Sequence, residues 1–74
     1  MTDMTDMRAA AIQAREALKA RFGTYAEAAR ELEISPQALH DWVKQGRVSH
    51  RQARRVAALI GVPVSQLRPD LYGD

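Results

Sequence analysis

Hydrophobic side chains recur along this chain at helical spacing and nowhere in the strict alternation of a strand. The first stripe, Met7, Ala11, Ala14, Leu18 and Phe22, lies in an alanine-rich stretch of high intrinsic helicity. It predicts a long helix from about Asp6 to Arg21 or Phe22, with Gly23 just past its end. Residues 1–5 carry no pattern and read as a disordered N-terminal arm. A second stripe, Tyr25, Ala28, Ala29 and Leu32, leaves Glu27, Arg30 and Glu31 pointing away. Thr24 is a good N-cap, and Glu27 three residues later completes a capping box. Glu33-Ile34-Ser35 interrupts the period. Ser35 caps the next helix and Pro36 takes its first position, where a missing N–H costs nothing. On that helix Leu39, Trp42, Val43 and Gly46 share one face, and Gln37, His40, Asp41 and Lys44 share the opposite one. After a Gly46-Arg47-Val48 loop, Ser49 and Gln52 read as a second capping box. Ala53, Val56, Ala57 and Ile60 then face inward and Arg51, Arg54 and Arg55 outward, until Gly61 stops the helix. Val62 to Leu67 reads as a short fifth helix closed before Pro69, with Leu71 and Tyr72 in an extended tail. Val62-Pro63-Val64 is too short and too proline-broken for a strand. The expectation is one all-α domain of five helices over residues 6–72, with a long first helix.

The two helices at 24–32 and 36–45, joined by a three-residue turn, have the layout of a helix-turn-helix, whose second helix enters the major groove. The small Ala28-Ala29 pair allows another helix to cross closely. The outer face of the second helix is the informative one. A face that only met solvent would usually carry Glu and Lys, whereas Gln37, His40 and Lys44 can meet base edges or phosphates.

Ala29, Leu32, Ile34, Leu39 and Trp42 fall at the spacings of the small alanine, turn hydrophobe and core positions of the Cro and lambda-repressor-like helix-turn-helix. The wider run F-G-T-Y-A-E-A-A-R-E-L, S-P-Q-A-L-H-D-W-V, G-R-V-S and the late L-R-P-D-L-Y resembles the Cro/YdaS-like family of small phage and prophage regulators. The resemblance covers roughly residues 17–72 and implies a five-helix lambda-repressor-like domain acting on DNA. One position departs from the motif: the turn residue that is usually glycine is Glu33. If a left-handed conformation is needed there, glutamate holds it at a cost of roughly 1 kcal/mol.

Net charge is only +2, but its distribution is lopsided. Residues 1–41 carry five basic and seven acidic side chains, while residues 42–69 carry six basic ones (Lys44, Arg47, Arg51, Arg54, Arg55, Arg68) and no acid. Such asymmetry points to an anionic partner for one face; a solubilising surface is the plainer reading. The chain has no cysteine, which excludes a disulfide framework and cysteine catalysis and fits a reducing cytoplasm. No apolar run is long enough to span a membrane, and the polar, acidic M-T-D-M-T-D-M start is unlike a signal peptide. Its three methionines leave the start codon open among Met1, Met4 and Met7.

Enzymatic chemistry finds no support in the residues. His40 and His50 lack the spacing for a metal site, the glycines sit at helix ends or in the tail rather than in a phosphate-cradling loop, and Ser35 and Ser49 read as caps. No cofactor or metal is expected. The candidate base-reading residues are Gln37, which can pair bidentately with adenine, His40, which can donate to guanine N7 or O6, and then Asp41 and Lys44. Asp41 reads either as an acceptor from cytosine N4 or as an orienter of a neighbouring arginine. Lys44, Arg47, Arg51, Arg54 and Arg55 are expected on phosphates, one of the last three with the option of pairing Asp41, Glu31 or Glu33. Thr24, Ser35 and the first N–H groups of their helices are candidates to hold a phosphate, with the Tyr25 hydroxyl in support. Trp42 reads as a core anchor.

These residues suggest a sequence-specific DNA-binding regulator; the resemblance adds a phage or prophage Cro-type repressor acting near its own gene. The alternative is an interaction module that uses the same scaffold to bind and mask another regulator, favoured by the long first helix and modest net charge. One recognition helix reads half of a useful site, so a homodimer on an inverted repeat is expected. Its interface is expected at the apolar C-terminal end, through Val64, Leu67, Leu71 and Tyr72, with Met7 and Ile12 on the first helix as the rival.

Overall fold

The structure, a computed structural model, describes residues 4–72. It is all-helical: α1 (Met4–Phe22), α2 (Tyr25–Leu32), α3 (Pro36–Gln45), α4 (His50–Ile60), α5 (Val64–Leu67) and α6 (Pro69–Tyr72). Of the expected N-terminal arm, residues 1–3 lie outside the described residues, and residues 4 and 5 belong to α1. The fifth helix begins at Val64 rather than Val62, because the Val62 N–H closes the end of α4 on the Ala57 carbonyl at 3.0 Å. The expected extended tail is a sixth helical turn. Pro69 opens it without sacrificing an N–H, and the Tyr72 and Leu71 N–H groups reach the Arg68 carbonyl at 2.9 and 3.0 Å.

The long α1 packs against α2, α3, α4 and α5, so one helix supplies a wall to nearly every other element. Ala10, Ala11, Ala14 and Leu18 from α1 meet Ala28, Ala29 and Leu32 from α2, Leu39 and Trp42 from α3, and Ala53, Val56 and Ala57 from α4. Alanines at most of the crossings keep the helices close, and Trp42 supplies the bulk they omit. Val48, read as a plain loop residue, is fully buried, which pins the segment after α3. The Thr24 hydroxyl accepts from the Glu27 N–H at 3.1 Å, but Glu27 sets its carboxylate 3.5 Å from Arg30, so the reciprocal half of the box is not made. The Ser49 side chain makes no cap at α4; its carbonyl accepts from the Gln52 N–H instead.

The turn between α2 and α3 bears out the concern over Glu33. Its backbone is left-handed, φ 59° and ψ 40°, the one positive-φ non-glycine among the described residues. Glu33 N–H bonds Arg30 O and Ile34 N–H bonds Ala29 O, both at 3.0 Å, while Ile34 packs against the core. This is the Schellman ending that glycine makes at the close of α3, where Gly46 has φ 81°. A Cβ in this conformation crowds the following carbonyl. Glu33→Gly should therefore stabilise the fold by about 1 kcal/mol, raising Tm by roughly 4–8 °C. A lower Tm in a thermal scan would mean that the Glu33 side chain makes a contact worth more than the strain.

The C-terminal turns are fastened by Arg68, which the sequence groups with the basic residues of 42–69. Arg68 is buried, only 7 % exposed. Its guanidinium donates to the Val48 carbonyl at 3.0 Å and to both Asp70 carboxylate oxygens at 3.0 and 2.8 Å. The bond from Arg68 holds the Asp70 carboxyl below its ordinary 3.8. The same bond pushes the Arg68 guanidinium up, against a burial that opposes its charge.

Candidate nucleic-acid interface

Leu39 and Trp42 bury the inner face of α3, and this fixes what its outer face presents. Gln37, His40 and Lys44 are exposed there, and Asp41 is half-buried between them. The Gln37 carboxamide donates to the Asp41 carboxylate at 3.2 Å. Asp41 thus orients a neighbouring glutamine, not an arginine.

His40 is held from outside its own helix. An Arg15 guanidinium nitrogen from α1 lies 3.2 Å from His40 Nδ1. The Tyr25 ring from α2 meets the imidazole edge-on, with centroids 5.4 Å apart. Tyr25 in turn donates its hydroxyl to the Glu16 carboxylate, and Glu16 lies 3.6 Å from Arg15 Nε. The hydrogen bond from Tyr25 lowers the Glu16 carboxyl below its usual 4.5, with the Arg15 and Lys19 charges helping and desolvation opposing. It raises the Tyr25 phenol above 10.0 for the same reason, with desolvation and the Glu16 charge adding to it. The Tyr25 hydroxyl is therefore committed to Glu16 rather than offered to a phosphate. Its ring also carries Arg15 and Lys19 against its face, 5.3 and 4.9 Å from the centroid.

The contribution of α1 to this face was missed in the sequence. Arg8, which donates to the Val43 carbonyl at 3.0 Å, Arg15 and Lys19 recur at seven and four residues, a helical stripe parallel to the apolar one. That spacing was visible; the helix it would lie against was not.

The remaining polar candidates divide by what already holds them. Thr24 and Ser35 accept the Glu27 and Ala38 N–H groups at 3.1 and 3.3 Å, which leaves each hydroxyl proton free to donate. Lys44, Arg47 and Arg51 are exposed. Arg54 lies over the Tyr72 ring at 5.7 Å. Arg55 bonds the Glu31 backbone carbonyl at 2.8 Å, placing a positive charge on the end of α2, and so pairs with none of the proposed carboxylates. Arg68 is buried and belongs to the fold.

The proposed dimer residues separate as well. Leu67 is 1 % exposed and fills this domain's own core, so it is unavailable to a second copy. Val64 is half-buried against that core. Tyr72 lies between Arg54 and His50, whose ring centroid is 6.4 Å away. Leu71, 48 % exposed, is the one of the four that projects outward.

Among the described residues no helix is long and apolar enough to cross a membrane. Comparison of the chain with protein-family models, with curated proteins and with solved structures finds no match.

Proposed function

We propose that this chain is a sequence-specific DNA-binding regulator of the Cro/YdaS-like helix-turn-helix kind, a repressor acting on an operator near its own gene. The observation that carries this reading is the outer face of α3: Gln37, His40 and Lys44 stand exposed on a helix whose opposite side is anchored by Leu39 and Trp42. Solvent alone does not call for a buttressed glutamine and histidine. In a major groove, Gln37 pairs with adenine N6 and N7, and His40 donates to an acceptor edge. Lys44, Arg47 and Arg51 follow the helix on to the phosphate backbone, with Thr24 and Ser35 and their helix N-termini on the other side. A homodimer on an inverted repeat sets two such helices about 34 Å apart on one face of the DNA. The exposed Leu71 is the residue of choice for its contact.

The experiment is a mobility shift on the DNA flanking the gene, at two salt concentrations with random competitor. A competition-resistant shift supports the regulator. No shift below micromolar protein favours the alternative, an interaction module that masks another regulator. The phosphate arm has its own expectation. Arg51→Ala should lower the slope of log affinity against log salt by about 0.9. Arg54→Ala and Arg55→Ala should lower it less, because Tyr72 and the Glu31 carbonyl already hold those side chains. Equal losses from all three would mean that those contacts give way when DNA binds.

A further inference from the structure

We propose that Arg15, on α1, is a specificity-determining residue: it selects the tautomer and the direction of the His40 ring and so decides which base edge His40 can read. The proposal rests on the DNA-binding reading above. A guanidinium has five N–H donors and no acceptor. At 3.2 Å from His40 Nδ1 it bonds only if that nitrogen offers its lone pair. In the neutral ring the hydrogen then sits on Nε2, because the bond made by one ring nitrogen sets the state of the other. No hydrogen bond reaches Nε2 among the described residues, and His40 is exposed. Its free edge is therefore a donor. A donor at that point donates to guanine O6 or N7 and finds no acceptor in the cytosine amino group.

The surroundings favour positioning over a phosphate contact for Arg15 itself. Its side chain is 20 % exposed, flanked by Glu16 at 3.6 Å and lying over the Tyr25 ring at 5.3 Å. Tyr25 closes the loop by meeting His40 edge-on and donating to Glu16. Three side chains from two helices thus hold one imidazole, and an arginine so covered has little to offer the DNA backbone. Lys19, on the same stripe and exposed, is the better backbone contact.

The experiment has two arms, on wild type, Arg15→Met and Arg15→Lys. Long-range proton–nitrogen spectra of the neutral His40 ring, without DNA, should show a single tautomer with Nδ1 unprotonated in wild type. They should show a shift toward a mixture in Arg15→Met and recovery in Arg15→Lys, which can still donate. Binding is then measured to the cognate site and to sites altered at the base pair that His40→Ala identifies. Arg15→Met should reduce discrimination at that one base pair by roughly fivefold to a hundredfold. It should add nothing in the His40→Ala background. A uniform loss on all sequences, equal in both backgrounds, overturns the proposal and makes Arg15 a phosphate contact. Ring spectra indifferent to Arg15 overturn it too. Ring spectra that respond in a protein that binds no DNA would place the failure in the DNA-binding reading, and base selection would fall with it.

Discussion

Arg68→Ala should cost about 3 kcal/mol of folding free energy, the largest loss expected from any polar side chain here. A domain of 74 residues has roughly 4–11 kcal/mol to lose, so urea unfolding would show a large drop in midpoint. Three losses combine. The Val48 carbonyl, in a segment whose side chain is fully buried, is left without its 3.0 Å donor. The two-pronged bond to Asp70 disappears. The aliphatic stem, buried with the rest of the side chain, loses its packing. Asp70→Asn should cost less, about 1–2 kcal/mol, because Asp70 is 39 % exposed on its side chain and water replaces part of what it loses. The pair also makes the fold sensitive to acid. The Asp70 carboxyl titrates below 3.8 in the folded chain, so its contribution is present above that value and is lost as the pH falls through the lower, folded one. Wild type should lose stability there more steeply than Asp70→Asn. An Arg68→Ala protein within 0.5 kcal/mol of wild type would show that the clasp contributes nothing.

The helices that carry a 3.6-residue apolar period over two turns or more were legible in the sequence, as were the glycine stops at Gly23, Gly46 and Gly61. Glu33 was legible because the motif wants glycine where the chain has none, and its φ of 59° follows. What escaped depends on contacts far apart in sequence. Arg68 reaches Val48 across twenty residues and Arg15 reaches His40 across twenty-five, so neither bond has a local pattern. Without the fold, Arg68 counted as one more surface cation. Leu67 reads as part of a face for another copy because the C-terminal end carries more apolar side chains than a small core needs, and so short a helix has no period to tell its inner side from its outer one. The α6 turn is equally short: proline predicts where such a turn can start but not that the chain will take it. At the candidate site, the bounds of α3 and its buried Leu39 and Trp42 are legible in the sequence, whereas its supports on α1 and α2 are not.

Gln37→Ala combined with His40→Ala should abolish most of the discrimination between the cognate site and random DNA while leaving the fold and the nonspecific affinity nearly intact. Each residue, if it pairs with a base, carries about 1–3 kcal/mol at the cognate site. Ala is a better helix former than either, and Leu39 and Trp42 hold α3 from the other side, so unfolding is not the expected route of loss. The two effects need not add, since the side chains lie on adjacent turns of one face. Losing Gln37 has a second consequence: Asp41 loses the donor 3.2 Å away, and a freed carboxylate next to DNA repels phosphate. Asp41→Asn in the doubly substituted chain separates these. If it restores affinity on every sequence alike, the extra loss was repulsion; the base-specific part should stay lost. Titration by fluorescence anisotropy on cognate and scrambled duplexes at fixed salt gives both numbers. Equal weakening on the two duplexes would show that the outer face of α3 does not read bases, and the same scaffold would then have to be tested against a protein partner.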